Sequence, residues 1–296
     1  AEKPKLPVII DEIQRIPALL KEVHWLIENA GVQFILTGSS PRKILRNRSN
    51  LLGGRALRYE LYPLSYSEID DFDLQRALNN GLLPKNYDAK NAEILLRAYI
   101  GSYLEDEILA ESKVRKLSIF SQFLEKAAFS NGEILNYTNI AADCGVSSPT
   151  VKEYFNILTE TMLGRYVPSY QKKPKRRVVA APKFYFFDLG IANHLRKRKN
   201  LEPGTEYYGD AFEHFIYMEL VAYSEYSGKH FTISYWRTSS GFEVDFILGD
   251  NEVAIEVKSA TSITKRHLKG LKAFSEEYAV PHKLLVCREE YPQLIG

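Results

Sequence analysis

The spacing of hydrophobic residues changes twice along the chain and divides it into three stretches. In the first, short apolar runs at residues 8–10 and 33–37 alternate with segments of helical spacing, which predicts parallel strands connected by helices. Residues 58–61 predict a third strand, and residues 65–68 have the Ser-x-x-Glu pattern of a capping box that opens a further helix. The turn sequence Asn-Gly-Leu-Leu-Pro at residues 80–84 ends this stretch.

The second stretch is mainly helical at first, and the third returns to mixed helices and strands. Residues 117–129 carry apolar side chains three and four positions apart, as in a helix with one buried face. Residues 207–296 follow the order of one long helix, three closely spaced strands, another helix and a final strand. We therefore predict an α/β multidomain protein with domains at residues 1–83, 84–200 and 201–296.

Composition agrees with an ordinary globular protein. Of the 296 residues, 45% are hydrophobic and 26% are charged, and the length exceeds one domain of about 100–200 residues. Two cysteines are too few for a disulfide framework, so we expect a reducing, cytoplasmic location. No uninterrupted apolar run approaches the roughly 18 residues of a membrane span, so we expect no membrane partner.

Acidic and hydroxyl side chains stand at the ends of the two predicted N-terminal strands. The apolar run that begins at Leu6 ends in Asp11 and Glu12, the form of a Walker B motif, in which one carboxylate reaches Mg²⁺ and its neighbour the attacking water. The next strand runs into Thr37 and Ser39, where an ATPase places its sensor of the γ-phosphate. A strand that simply meets solvent also ends in acids, so the motif alone leaves both interpretations open.

These segments, together with residues 52–55 (Leu-Gly-Gly-Arg) and 61–68, resemble prokaryotic AAA-type ATPases that carry a helix-turn-helix region and a C-terminal PD-(D/E)xK nuclease-like domain. The resemblance covers nearly all of residues 5–290. It implies three parts: an incomplete α/β unit of the P-loop, AAA type, a helical and winged-helix middle, and a PD-(D/E)xK-like α/β end. It also implies a nucleotide site in which Asp11 ligates Mg²⁺, Glu12 orients water, Thr37 or Ser39 senses phosphate, and Arg55 contacts the nucleotide.

One motif of that family is missing from these residues. A phosphate-cradling loop needs the sequence G-x-x-x-x-G-K-[ST], because backbone N–H groups and the lysine together neutralise the triphosphate. No glycine of the chain continues in this way. We therefore expect that the chain begins after the P-loop, that it binds ATP weakly without turning it over, and that ATP is a partner of the full-length protein.

A helix-turn-helix is predicted within residues 136–163. Residues 136–144 predict the first helix, residues 145–147 a tight turn, and the second helix begins at Ser148. Hydroxyl and amino groups that point outward from such a unit can contact DNA. The side chains that we assign to this contact are Ser147, Ser148, Thr150 and Lys152.

Two predicted strands, residues 166–168 and 183–188, follow the second helix and enclose a basic tip, in the manner of a wing. Residues 165–199 hold eleven basic residues against one acid, a charge of +10 in a chain whose total is +2. Such a patch predicts phosphate contacts with DNA, whereas a solvated loop or a protein-docking wing is the alternative. The basic residues of the tip are Lys172, Lys173, Lys175, Arg176 and Arg177.

A predicted hairpin at residues 243–258 brings two carboxylates together. If Leu248 faces Val253, Asp245 stands opposite Glu256 with Cβ atoms about 4.5–5.5 Å apart. Two opposed carboxylates repel each other unless a positive charge lies between them. Mg²⁺ or Mn²⁺ would supply that charge.

The period of two also puts Lys258 on the same face, which completes the Asp–Glu-x-Lys arrangement of PD-(D/E)xK nucleases. In those enzymes the carboxylates hold the metal ion and the lysine positions or activates the attacking water. The preceding helix offers Glu213 as another acid. We therefore predict Asp245, Glu256, Lys258 and Glu213 as catalytic residues and the three carboxylates as metal ligands; a salt-bridge network around Lys258 without cleavage is the alternative.

Three functions stay open from the sequence. The preferred hypothesis is the C-terminal portion of an AAA-type ATP-binding protein that acts on DNA. The alternatives are a Mg²⁺- or Mn²⁺-dependent DNA endonuclease and a non-catalytic DNA-binding or scaffold module. The sequence leaves the DNA preference and the oligomeric state open.

Overall fold

The computed structural model describes residues 6–38, 56–103, 117–172 and 175–294. By their contacts they form two units, residues 1–61 with 156–163 and residues 62–155 with 164–296. The predicted domain limits after residues 83 and 200 are finer than this division and remain predictions. None of the helices in the described ranges combines the length and the apolar character that a membrane crossing requires.

The first unit contains a strand, a helix and a parallel strand, as predicted. Strand β1 (Val8–Ile10) pairs with β2 (Phe34–Leu36), and the connection holds helix α1 (Leu19–Ala30). Parallel strands need such a crossover, because the chain must return to the end of the sheet at which the first strand began. The helix ends at Gly31, which takes the left-handed conformation (φ 59°) that closes a helix C-terminus.

The third strand predicted at residues 58–61 is wrong. This segment has no regular secondary structure, and its alternating apolar side chains are exposed: Leu57 by 83%, Tyr59 by 84% and Leu61 by 96%. A period of two predicts a strand only where one face is buried against a core, and these residues have no such cover among the described residues.

The predicted capping box is present, but it opens only one 3-10 turn, Tyr66–Glu68. The Ser65 N–H donates to Glu68 Oε2 at 2.9 Å, as the pattern requires. The helix stops there because Ile69 is extended and Asp71 has a positive φ of 51°. The capping box therefore determines where the turn begins, and the non-helical backbone after Glu68 determines where the turn ends.

The described residues between 74 and 160 are mainly helical. The helices are α2 (Leu74–Asn80), α3 (Pro84–Tyr87), α4 (Ala92–Tyr103), α5 (Leu117–Phe129), α6 (Tyr137–Cys144) and α7 (Ser148–Glu160). Gly145 joins α6 to α7 in the left-handed conformation (φ 63°), so the two helices and the tight turn of the helix-turn-helix pattern are present. Two antiparallel strands follow, β3 (Gly164–Val167) and β4 (Lys183–Phe186).

The C-terminal elements also follow the predicted order. Helices α8 (Leu189–Leu195) and α9 (Glu206–Tyr226) precede a four-stranded sheet of order β5-β6-β7-β8. The first three strands are antiparallel, and the last is parallel to its neighbour. Their bounds are β5 (Ile233–Arg237), β6 (Glu243–Leu248), β7 (Val253–Val257) and β8 (His282–Val286), with α10 (Lys269–Ser275) before β8. The described residues therefore form a mixed α/β protein with small sheets.

The connection from β3 to β4 crosses the outer edge of strand β5. We call the described residues of this connection, 168–172 and 175–182, the strap. The Tyr170 N–H donates to the Tyr235 carbonyl at 2.7 Å, and the Val179 N–H donates to the Arg237 carbonyl at 2.9 Å. The loop predicted as a free wing tip is thus bound to the C-terminal sheet.

Candidate functional site

The ends of β1 and β2 bring together two of the predicted nucleotide-site residues. The Thr37 hydroxyl donates to Asp11 Oδ1, and the Thr37 N–H donates to the Ile10 carbonyl at 3.0 Å. Glu12 takes a left-handed backbone conformation (φ 52°) and accepts a hydrogen bond from Gln14. Because the carboxyl ends of parallel strands share one edge, a carboxylate and a hydroxyl meet here. The predicted residues Ser39 and Arg55 lie outside the described residues.

The predicted DNA-contact residues of the helix-turn-helix lie at the start of α7. The Ser147 hydroxyl accepts from the Thr150 N–H at 3.3 Å, which caps the start of the helix, and it lies 2.9 Å from the Thr150 hydroxyl. Ser147 and Lys152 are exposed, and Ser148 and Thr150 are half-exposed. Only one of these four side chains is basic.

Most basic side chains of residues 165–199 that the structure describes form ion pairs with acidic side chains of the same chain. Arg176 binds Glu277 at 2.9 Å as well as Glu276, and its guanidinium lies 5.7 Å from the centre of the Phe242 ring. Lys175 and Arg177 are exposed and form no ion pair within the described residues, and Lys173 lies outside them. The ion pairs given by the described residues involve Lys172, Arg176, Lys183, Arg196, Lys197, Arg198 and Lys199, several of them at the surface.

The hairpin of β6 and β7 has the predicted register. Leu248 pairs with Val253 and Phe246 with Ile255, so the next position puts Asp245 beside Glu256. Both carboxylates are buried. Asp245 Oδ2 accepts from the Val257 N–H at 2.7 Å.

Lys258 lies beside both of these carboxylates, as predicted. Its Nζ is 2.7 Å from Glu256 Oε1 and 3.7 Å from Asp245 Oδ2. Glu213, on α9, points instead to other groups: its Oε1 accepts from the Tyr185 hydroxyl and lies 3.4 Å from Lys183 Nζ. The three predicted acids thus have different partners.

Lys183 and Glu243 belong to the same cluster, although the sequence did not single them out. Lys183 Nζ lies 2.8 Å from Glu243 Oε1, and Glu243 Oε2 also binds Arg237 at 3.1 Å. A signal for Glu243 existed, since the period of two puts it on the same face of β6 as Asp245. We call the carboxylates Glu213, Glu243, Asp245 and Glu256 the acidic cluster.

The electrostatics of the acidic cluster show a shortage of positive charge. Burial, with the charges of Glu213 and Glu256, raises the pKa of Asp245 well above its ordinary value. Burial also raises the pKa of Glu256, although Lys258 offsets part of this effect. Buried carboxylates in this condition favour a proton or a cation.

The cluster as it stands does not fit a metal ion held by Asp245, Glu256 and Glu213. Among the described residues, no three histidine, cysteine or acidic side chains converge to hold a metal ion. The Glu256 Oε2 atom is buried without a hydrogen-bond partner, whereas the other carboxylate oxygens described above bind protein groups. Binding of Mg²⁺ or Mn²⁺ by these residues therefore remains a prediction.

Three family models match separate parts of this chain. A model described as an AAA domain matches residues 1–70, one described as a domain of unknown function (DUF8612) matches residues 71–202, and another domain of unknown function (DUF4143) matches residues 208–295. The first and third matches support an AAA-type ATPase-like family. They carry no information on a winged helix or a nuclease.

The similar curated proteins are themselves uncharacterized. Proteins of Mycobacterium bovis and Mycobacterium tuberculosis are each 25% identical to this chain over 266 residues, which is 86% of this chain and 59% of the relative. A protein of Haemophilus influenzae is 22% identical over 310 residues, covering 98% of this chain and 74% of the relative. The chain thus spans less than two thirds of the length of the mycobacterial proteins. No solved structure gives a significant match.

Proposed function

We propose that this chain is part of an AAA-type ATP-binding protein and supplies the Walker B and sensor side of its nucleotide site. The hydrogen bond from Thr37 to Asp11 at the ends of two parallel strands carries the proposal. Such strand ends are where α/β proteins bind nucleotides. The match of residues 1–70 to an AAA domain agrees with it.

In this role each side chain has a separate task. Asp11 would hold the Mg²⁺ of the nucleotide, Glu12 would orient the attacking water, and Thr37 would fix Asp11 and sense the γ-phosphate. Mg²⁺ held by Asp11 would supply positive charge against the charge that develops on the phosphates. The sequence of this chain has no G-x-x-x-x-G-K-[ST] loop to hold them, so it does not turn over ATP alone.

Calorimetry and a phosphate-release assay test the proposal. This chain should not hydrolyse ATP and should show no micromolar dissociation constant for Mg²⁺-ATP. A micromolar constant would contradict the argument that tight binding needs a P-loop. In a protein that contains both these residues and a G-x-x-x-x-G-K-[ST] loop, Asp11→Asn should lower the ATPase rate on the order of 100-fold. The matched control is Glu22→Gln on the exposed side of α1, and equal loss in both variants would refute the assignment.

DNA contact is a second candidate function, and the exposed polar start of α7 favours it. Lys175 and Arg177 on the strap add positive charge that forms no ion pair within the described ranges, whereas Arg176 is engaged with Glu276 and Glu277. The double change Lys175→Glu with Arg177→Glu should lower the slope of log affinity against log salt by about 2. A charge-matched control, Lys21→Glu with Lys85→Glu, should leave the slope unchanged; equal slopes in all three proteins would exclude contact by the strap.

For the predicted C-terminal domain, residues 201–296, we propose a non-catalytic role rather than DNA cleavage. The support is that Asp245, Glu256 and Glu213 are engaged with protein groups rather than converging on one point. A plasmid assay with Mg²⁺ or Mn²⁺ should therefore show no cleavage by the wild type or by Lys258→Ala. Cleavage by the wild type that disappears in the Lys258→Ala variant at equal folded concentration would establish the nuclease alternative instead.

A further inference from the structure

Lys183 is a buried ammonium group at the first position of β4. Its side chain is only 5% exposed, and Nζ lies 5.4 Å from the centre of the Tyr235 ring. Removing an ammonium group from water costs several kcal/mol unless charges and hydrogen bonds replace the water. The position of this lysine therefore depends on the carboxylates around it.

Those carboxylates come from two different elements of the C-terminal unit. Glu243 Oε1, on β6, lies 2.8 Å from Nζ, and Glu213 Oε1, on α9, lies 3.4 Å from it. These two contacts offset the cost of burying the ammonium group. Lys183 thus remains a cation between the helix and the strand that were predicted to supply metal ligands.

The charge balance of the acidic cluster depends on this one lysine. Among the described residues, the four carboxylates of the acidic cluster form ion pairs with three cationic groups, Lys183, Lys258 and Arg237, and Glu133 also interacts with Lys183. Without Lys183 these carboxylates would lose one of the three cations that balance their charge. Glu256, whose side chain is 9% exposed, would still have its unpartnered Oε2 atom. Carboxylates in that condition bind divalent cations.

We propose that the Lys183 ammonium group is the resident cation of the acidic cluster and that it keeps divalent metal ions out. A metal ion must displace an ammonium group that already contacts Glu213 and Glu243. The lysine belongs to the β3–β4 sheet and the carboxylates to α9 and β6, so the same contact also ties these elements together. The inference does not depend on the nucleotide site.

Mn²⁺ titration followed by electron paramagnetic resonance tests this inference, because only free Mn²⁺ gives the sharp signal. All proteins in the titration carry Asp11→Asn, which removes the predicted Mg²⁺ ligand of the nucleotide site. The protein with Lys183 intact should bind no Mn²⁺ below millimolar concentration. Lys183→Met should bind it at least roughly tenfold more tightly, because a unit positive charge close to the carboxylates is lost. Lys172→Met, an exposed lysine paired with Asp250, is the control and should show no gain.

Further variants locate the bound ion. Adding Glu213→Gln to Lys183→Met should abolish the gain, and a gain that persists would place the ion elsewhere and overturn the proposal. A folded Lys183→Met protein, checked by circular dichroism, that binds no more Mn²⁺ than its parent would also overturn it. If Lys183→Met does not fold, the parent still decides, since micromolar Mn²⁺ binding with Lys183 in place contradicts the inference.

Discussion

Asp188 gives the sharpest test of the structure, because its carboxylate is fully buried and its protonation should control stability. Oδ2 accepts from the Leu82 N–H at 2.7 Å, and Oδ1 accepts from the Ile191 N–H at 3.2 Å at the start of α8. Burial raises the pKa of Asp188 to about 6 from its ordinary 3.8, although backbone hydrogen bonds oppose the shift. The folded protein therefore binds this proton more tightly than the unfolded chain does.

The sign of the pH effect follows from that difference. Between the unfolded and the folded pKa the folded state holds more protons, so the free energy of unfolding falls as pH rises. A shift of about two units corresponds to about 3 kcal/mol in total, of which about 2 kcal/mol is lost between pH 4 and pH 7. Asp188→Asn removes this titration but keeps one acceptor for the helix cap.

Urea unfolding of the wild type and of Asp188→Asn, measured at pH 4, 5, 6 and 7, checks the reasoning. Other titrating groups are the same in both proteins, so they cancel in the difference. The stability advantage of the wild type should shrink by about 2 kcal/mol from pH 4 to pH 7. A difference that stays constant over this range would refute the buried, proton-binding state of Asp188.

Three further changes test the packing. Gly270→Ala on α10 would put a Cβ atom 1.8 Å from the Glu243 carbonyl oxygen. The urea midpoint should therefore fall by the equivalent of about 2 kcal/mol. The control, Lys272→Ala on the exposed side of the same helix, should have little effect. Phe155→Ala should cost about 3–5 kcal/mol in the same assay because the ring is fully buried, and a loss below 1 kcal/mol would contradict this. Arg196→Ala should cost about 1–3 kcal/mol, since it removes the guanidinium donor from the Asn131 carbonyl and one of two donors from the Ala128 carbonyl, and an unchanged thermal midpoint would contradict those contacts.

Local patterns predicted the elements that depend on neighbouring residues. The register of the β6–β7 hairpin followed from the turn residues between Leu248 and Val253, because a shift of one position would reverse both faces. Helix α5 was predicted with the observed bounds, since its apolar residues recur at helical spacing. The predicted strand at residues 58–61 failed because alternation alone does not create a buried face.

The electrostatics of the site could not be obtained from residue counts. The excess of positive charge in residues 165–199 suggested a free basic surface, but its partners lie far away in sequence: Lys199 pairs with Glu93, and Arg176 with Glu277. Lys183 was counted as one more basic residue of that surface, although the fold buries it among carboxylates. Whether a basic side chain can contact phosphate or forms an ion pair within the protein depends on which distant residues the fold places beside it.

The strap has a consequence for how the C-terminal sheet avoids association with other chains. Strand β5 is the outermost strand of that sheet, and unpaired N–H and C=O groups on such an edge recruit strands from other molecules. Here the strap occupies that edge, through Tyr170 and Val179 on one side and Tyr235 and Arg237 on the other. A fragment that begins at residue 201 would lose this cover, so it should aggregate or exchange strands more readily than the intact chain.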